Sequence, residues 1–156
     1  EDGQVIGQTT TPYSYALDSL YVGDMPQTSY ALVGTLTPIK GLQLQVVYNQ
    51  YDNNYSDWSP GAREYDGSDA DVDREQVWKA PGYSKVDLHA SYALPISGYD
   101  VSLFGHVFNA TDAIFVQDAV DHSQYNSYGD KVHAAHNAEV FLGTPRYFNV
   151  GIAVNF

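Results

Sequence analysis

Residues 66–75 read DGSDADVDRE and set Asp69, Asp71 and Asp73 at alternate positions. Carboxylate oxygens are the hard ligands that Ca²⁺ takes, so the run is a candidate calcium loop. It is not an EF-hand: counted from Asp69, the sixth and twelfth positions hold Arg74 and Ala80, where that loop needs Gly and Glu. The plainer reading is a solvated loop whose charges repel one another. A second polar cluster holds His122, His133 and His136 with Asp121 and Asp130 nearby, and His133 and His136 are three residues apart. That spacing suits one face of a helical turn, but no third ligand has a fixed position, so surface histidines are the simpler expectation. Asp87 and His106 could form an acid–base pair. No positioned nucleophile accompanies them, so a structural hydrogen bond is expected and no catalysis.

Aromatic residues form the remaining candidate set. Tyr51, Tyr55, Trp58 and Tyr65 lead into the acidic run. Some suit an interfacial aromatic girdle. Others, with Tyr55, Trp58 and Tyr65 as the candidates, could stack on the CH-rich faces of a substrate such as a sugar.

Composition limits what such residues can serve. The 156-residue chain carries 7 Lys plus Arg against 19 Asp plus Glu, a formal charge of -12. That sign argues against nucleic acid as a partner, because phosphates need cations. With no Cys, disulfides, thiolate metal sites and Cys nucleophiles are excluded too. No apolar run is long enough for a transmembrane helix. The start, EDGQVIG, has neither Met nor a basic segment, so a mature product or a piece of a longer polypeptide is expected.

The elements that must position these residues are strands. Helical periodicity is nearly absent, while period-2 alternation recurs. The strongest examples are Tyr83 to Leu94, with Val86, Leu88, Ala90, Tyr92 and Leu94 on one face, and Tyr147 to Phe156, with Phe148, Val150, Ile152, Val154 and Phe156 on one face. Ser29 to Thr37, Leu42 to Tyr51 and Tyr99 to Asn109 alternate as well, and Tyr13 to Val22 reads as a weaker strand. The clear strands are near the roughly 9–11 residues that a tilted membrane-crossing strand needs.

Loop lengths are sorted. Residues 39–41 and 95–98 form short turns, whereas about 52–81 and 110–145 are long connections. Outer-membrane barrels sort their loops this way, short side to the periplasm. Parity then predicts register. Across residues 39–41 it places Pro38 opposite Leu42, with Gly41 left-handed. Across residues 95–98 it pairs Val86 with Val107, Tyr92 with Val101, Asp87 with His106 and Ser91 with Ser102. About 6 strands cannot close a barrel, for which about 8 is the smallest number, so a C-terminal portion of a larger transmembrane antiparallel β-barrel is expected.

Four segments carry a family resemblance: LYVGDMPQT (20–28), PGYSKVDLHASYAL (81–94), FGHVFNATD (104–112) and EVFLGTPRYFNVGIAVNF (139–156). In this order and spacing they resemble the C-terminal strands of TonB-dependent outer-membrane receptors. The resemblance implies a barrel of about 22 strands preceded by a plug domain, neither of which is complete in residues 1–156. It implies energised uptake of a large scarce solute (siderophore, metal complex or glycan). The implied partners are outer-membrane lipid and lipopolysaccharide, TonB through the plug region, and a surface lipoprotein. The barrel-assembly machinery would read Phe148, Val150, Ile152, Val154 and Phe156. The acidic run would then lie in an extracellular loop, where Ca²⁺ is the candidate ion. Two rival classes stay open: a complete small outer-membrane barrel acting as an adhesin or structural protein, and a soluble carbohydrate-binding β-sandwich.

Overall fold

A computed structural model of the chain describes residues 12–65, 72–122 and 132–155. These residues form ten strands: β1 (Ser14–Tyr15), β2 (Pro26–Ile39), β3 (Leu42–Tyr55), β4 (Glu64–Tyr65), β5 (Lys79–Ala80), β6 (Tyr83–Leu94), β7 (Asp100–Phe108), β8 (Val116–Asp121), β9 (Ala138–Leu142) and β10 (Tyr147–Asn155). Among the described residues, two short 3-10 turns, Pro60–Arg63 and Ala135–Asn137, interrupt the strand content. The protein is all-β with antiparallel sheets.

The main sheet runs β10-β7-β6-β3-β2, with β5 on β3. Apart from β5 its neighbours follow chain order, so it is a meander. β5 and β6 keep one register against β3: Asn54 faces Ala80 and Tyr51 faces Tyr83. They are one strand line interrupted at Pro81–Gly82, because Pro has no N–H to give the ladder. A side chain on Gly82 would collide with the Asp52 carboxylate.

Register preserves parity in every pairing. Leu32, Gly34 and Leu36 face Tyr48, Val46 and Leu44. Val46 and Leu44 face Leu88 and Ala90, these face Val107 and Gly105, and those face Phe148 and Val150. One side of five strands is therefore continuously apolar. It is also uncovered: Leu32, Leu36, Val46, Phe148 and Ile152 are exposed, and Val150 is 82% exposed. A soluble sandwich would bury this face under a second sheet; none lies there among the described residues.

The turns sharpen two expectations. In the β2–β3 hairpin the body keeps the predicted register, but at the tip Ile39 faces Leu42 across Lys40–Gly41, with a register shift after Leu36. Gly41 takes φ +85 and an added Cβ would sit 2.8 Å from the Ala93 carbonyl oxygen, so only Gly fits. In the β6–β7 hairpin the predicted pairing is wrong by two residues. Leu88, not Val86, faces Val107; His89, not Asp87, faces His106; and Ala93, not Ser91, faces Ser102. The connection is longer than residues 95–98, for Leu94 faces Val101 and the Tyr99 N–H donates to the Ile96 carbonyl. A two-residue slip leaves every side chain on its face, so alternation cannot detect it.

The long connections are also more structured than expected. The weaker strand over Tyr13 to Val22 shrinks to β1, which pairs with β4. Residues 110–145 contain the β8–β9 hairpin, fastened to the other connection by a bridge between Val120 and Asp57. Together they form a cap at the long-connection end of the sheet. It holds the buried apolar groups Ala16, Val77, Phe115 and Ala119, while the main sheet contributes Ala80 and Val101.

Candidate functional site

The polar face of the sheet presents rows across the strands. One row runs Thr35, Gln45, His89, His106, Asn149 over β2, β3, β6, β7 and β10. Gln45 donates to Thr35 Oγ1 at 3.2 Å, and the two Nδ1 atoms of His89 and His106 stand 2.8 Å apart. One ring donates and the other accepts in that contact. Phe104 and Phe108 flank His106 on the same strand face, with ring centroids 5.6 and 5.9 Å away. Phe104 lies over Gly151, whose missing side chain makes room for the ring. Phe108 stacks on Tyr147 at 4.7 Å. His89 is the functional candidate that sequence reasoning missed, because its partner depended on the register error.

Asp87, expected beside His106, instead accepts from the Asn109 N–H at 2.8 Å. Asn109 adopts φ +49, a conformation Asn tolerates. Its amide donates to the Ala113 and Thr144 carbonyls and accepts from the Ala113 N–H. Asp112 in turn accepts from the Arg146 N–H at 3.0 Å. These bonds tie the end of β7 to the start of β10.

The cap gathers several predicted residues into one buried network. Arg63, with its side chain 1% exposed, pairs with Asp73 Oδ1 at 2.7 Å and donates to the Asp73 and Glu75 carbonyls. His133 places Nε2 at 3.0 Å from Asp73 Oδ2 and Nδ1 at 2.6 Å from Asp121 Oδ2. Asp121 also accepts from the Trp78 N–H at 3.3 Å. His133 is therefore not the surface histidine expected from the sequence; its side chain is 5% exposed and links the two long connections. The two carboxylates occupy opposite nitrogens of its ring, so they cannot converge with it on one cation. No group of three metal-ligating side chains occurs among the described residues. His122 does lie at the surface, paired with Glu139 at 3.0 Å, and His136 is exposed in the 3-10 turn.

Of the candidate calcium ligands, Asp73 is engaged by Arg63 and His133, so an ion drawing on it would have to compete with the guanidinium. Asp69 and Asp71 lie outside the described residues, as do Asp130 and, in the last strand, Phe156. The strand residues Phe148, Val150, Ile152 and Val154 occupy the uncovered apolar face at the β10 edge. Among the aromatics, Tyr55 stacks on Tyr21 with centroids 4.4 Å apart, and Trp58 Nε1 donates to the Tyr21 carbonyl at 3.0 Å. Tyr21 thus joins Tyr55 to Trp58. Tyr65 belongs instead to the β1–β4 ribbon, where Arg74 stands 5.8 Å from its ring centroid.

Asp24 introduces the cap's electrostatic liability. The Asp57 carboxylate first, then burial and Asp118, push its carboxyl above the usual carboxylate range. A carboxyl raised by folding favours the folded cap in acid, and that contribution is lost as pH rises through its folded value. Asp24→Asn is therefore expected to slow local opening of the cap at pH 7, measured by hydrogen exchange at Asp57 and Asp121. The advantage should fade below about pH 4, where carboxyls protonate anyway, and shrink in high salt.

No family model, no curated protein and no solved structure matches this chain, so its functional reading rests on its own residues and geometry.

Proposed function

We propose that this chain is the C-terminal barrel segment of a TonB-dependent outer-membrane receptor, a transporter for a large scarce solute. The observation that carries the reading is the uncovered apolar face, aligned through register over all five long strands while the other face stays largely polar. Lipid is the solvent that suits such a face. In water it would be an exposed patch far beyond what soluble monomers tolerate.

The remaining features support the same reading. The outer edges of β2 and β10 have no partner strand among the described residues. Unpaired backbone groups in hydrocarbon cost several kcal/mol each, so further barrel strands are needed on both sides. That disfavours a complete small barrel, in which β2 and β10 would close on each other or on strands of this chain. The short turns lie at the end we assign to the periplasm and the folded cap at the end we assign to the exterior. Solute would then meet the cap and the polar face; a siderophore, metal complex or glycan fits the mix of aromatic and polar side chains.

Expression of the longer polypeptide in a bacterium with an outer membrane tests this. The protein should remain in the outer-membrane fraction after alkaline extraction and migrate with heat-modifiable mobility. Recovery as a soluble monomer without detergent would overturn the reading.

A further inference from the structure

We propose that His89 and His106 form a two-imidazole site for a divalent late transition ion, Cu²⁺ or Ni²⁺, on the polar face of the sheet. The pair is fixed by backbone pairing, since the two residues face each other directly on β6 and β7. Their Nδ1 atoms stand 2.8 Å apart. Two nitrogens bound at about 2.0–2.1 Å to one ion are roughly 2.9 Å apart at a right angle and roughly 3.3 Å apart at the tetrahedral angle. The observed separation is that of a hydrogen bond, and it lies close to the right-angled case, so a tetragonal ion such as Cu²⁺ or Ni²⁺ requires little change in the spacing of the two nitrogens.

The surroundings suit an ion that arrives with part of its own coordination shell. An open depression of about 300 Å³ adjoins the pair, lined by Gln43, Gln45, His89, Ala90, Ser91 and His106. Amide and hydroxyl groups of Gln43, Gln45 and Ser91 can hydrogen-bond water or chelator atoms on the remaining positions. The protein offers two strong donors there and no carboxylate in the row, so those positions stay open to an incoming ligand. Imidazole is the side chain best suited to such ions, and the formal charge of -12 raises the local concentration of cations. In the ion-free pair one Nδ1 carries the proton of the hydrogen bond, so binding requires that ring to take the Nε2–H tautomer. Histidine χ2 is a broad torsion, and small ring rotations then turn both Nδ1 lone pairs towards the depression.

The test is Cu²⁺ binding to the full polypeptide in detergent, followed by electron paramagnetic resonance. One equivalent of Cu²⁺ should give a tetragonal spectrum with nitrogen splitting from two imidazoles. Either His89→Gln or His106→Gln should remove one nitrogen from that pattern and weaken binding by at least the roughly 10–100-fold that loss of a supporting group costs. His122→Gln should leave it unchanged. A spectrum that survives His106→Gln, or is lost with His122→Gln, would overturn the proposal by placing the ion elsewhere. If the variants fail to fold, carbethoxylation of the unaltered chain decides: Ni²⁺ should protect His89 and His106 together, and equal modification with and without the ion overturns the site.

Discussion

Val150→Arg is expected to destabilise the folded sheet by about 2–4 kcal/mol, the cost of a cation on the lipid face near the middle of a membrane strand. Val150 is central in β10, faces Gly105, and has nothing over it. Asn149→Arg, one residue earlier on the polar face opposite His106, should cost far less because water can reach it. Val150→Leu should be nearly neutral. Folded fractions in a reversible detergent or lipid equilibrium would report all three. In a soluble protein the order would reverse towards indifference, since an exposed Arg in water is harmless. Equal small effects of Val150→Arg and Asn149→Arg would therefore count against a lipid-facing surface.

The second large effect lies in the cap. Arg63→Ala should cost about 3–5 kcal/mol of cap stability, the usual penalty for removing one partner of a buried ion pair. It removes the guanidinium from Asp73 Oδ1 and from the Asp73 and Glu75 carbonyls that Arg63 serves. Asp121→Ala should act similarly by removing the carboxylate that His133 Nδ1 and the Trp78 N–H share. His122→Ala is the control. Its ion pair with Glu139 is about half exposed on both sides, and such pairs contribute roughly 0–1 kcal/mol. Both Trp residues, Trp58 and Trp78, lie in the first long connection, so intrinsic fluorescence reports on the cap. A denaturant midpoint for fluorescence that falls well before the loss of strand signal is the expected outcome in Arg63→Ala.

Alternation made the framework legible. β6 and the last strand were readable residue by residue because each has one apolar and one polar or small face, and five strand positions follow from that pattern. The β2–β3 register followed from parity together with a short turn ending in Gly41. The β6–β7 register did not, since pairings two residues apart are equivalent to a period of 2, and the choice lay in the turn around Ile96 to Tyr99. β8 and β9 escaped notice for another reason: VQDAVD and AEVFL are short, carry acids at strand positions and lie far apart in sequence.

The sites divided along the same line. Asp73, Asp121 and His133 were recognised as residues capable of chemistry, but their assembly around Arg63 depends on two long connections meeting, and no local spacing encodes that. Arg63 itself sits after Pro60 in a 3-10 turn and gives no periodic signal of burial. Tyr21 joined the aromatic group for a similar reason, through contact with Tyr55 and Trp58 across more than thirty positions. His89 was visible as a polar alternate on β6 and became a candidate only once the true register set it against His106.

A single-cysteine scan of β10 in outer-membrane vesicles, with any Cys outside these residues replaced, tests the central claim most directly; residues 1–156 themselves contain no Cys. Nitroxide or fluorescent labels at positions 148, 150, 152 and 154 should be quenched by lipid-soluble agents and shielded from water-soluble ones. Labels at positions 149, 151 and 153 should show the opposite, giving a period of 2 along the strand. Equal access of a water-soluble quencher to both sets, or shielding of the even set from lipid-soluble quenchers as well, would contradict a lipid-facing barrel wall.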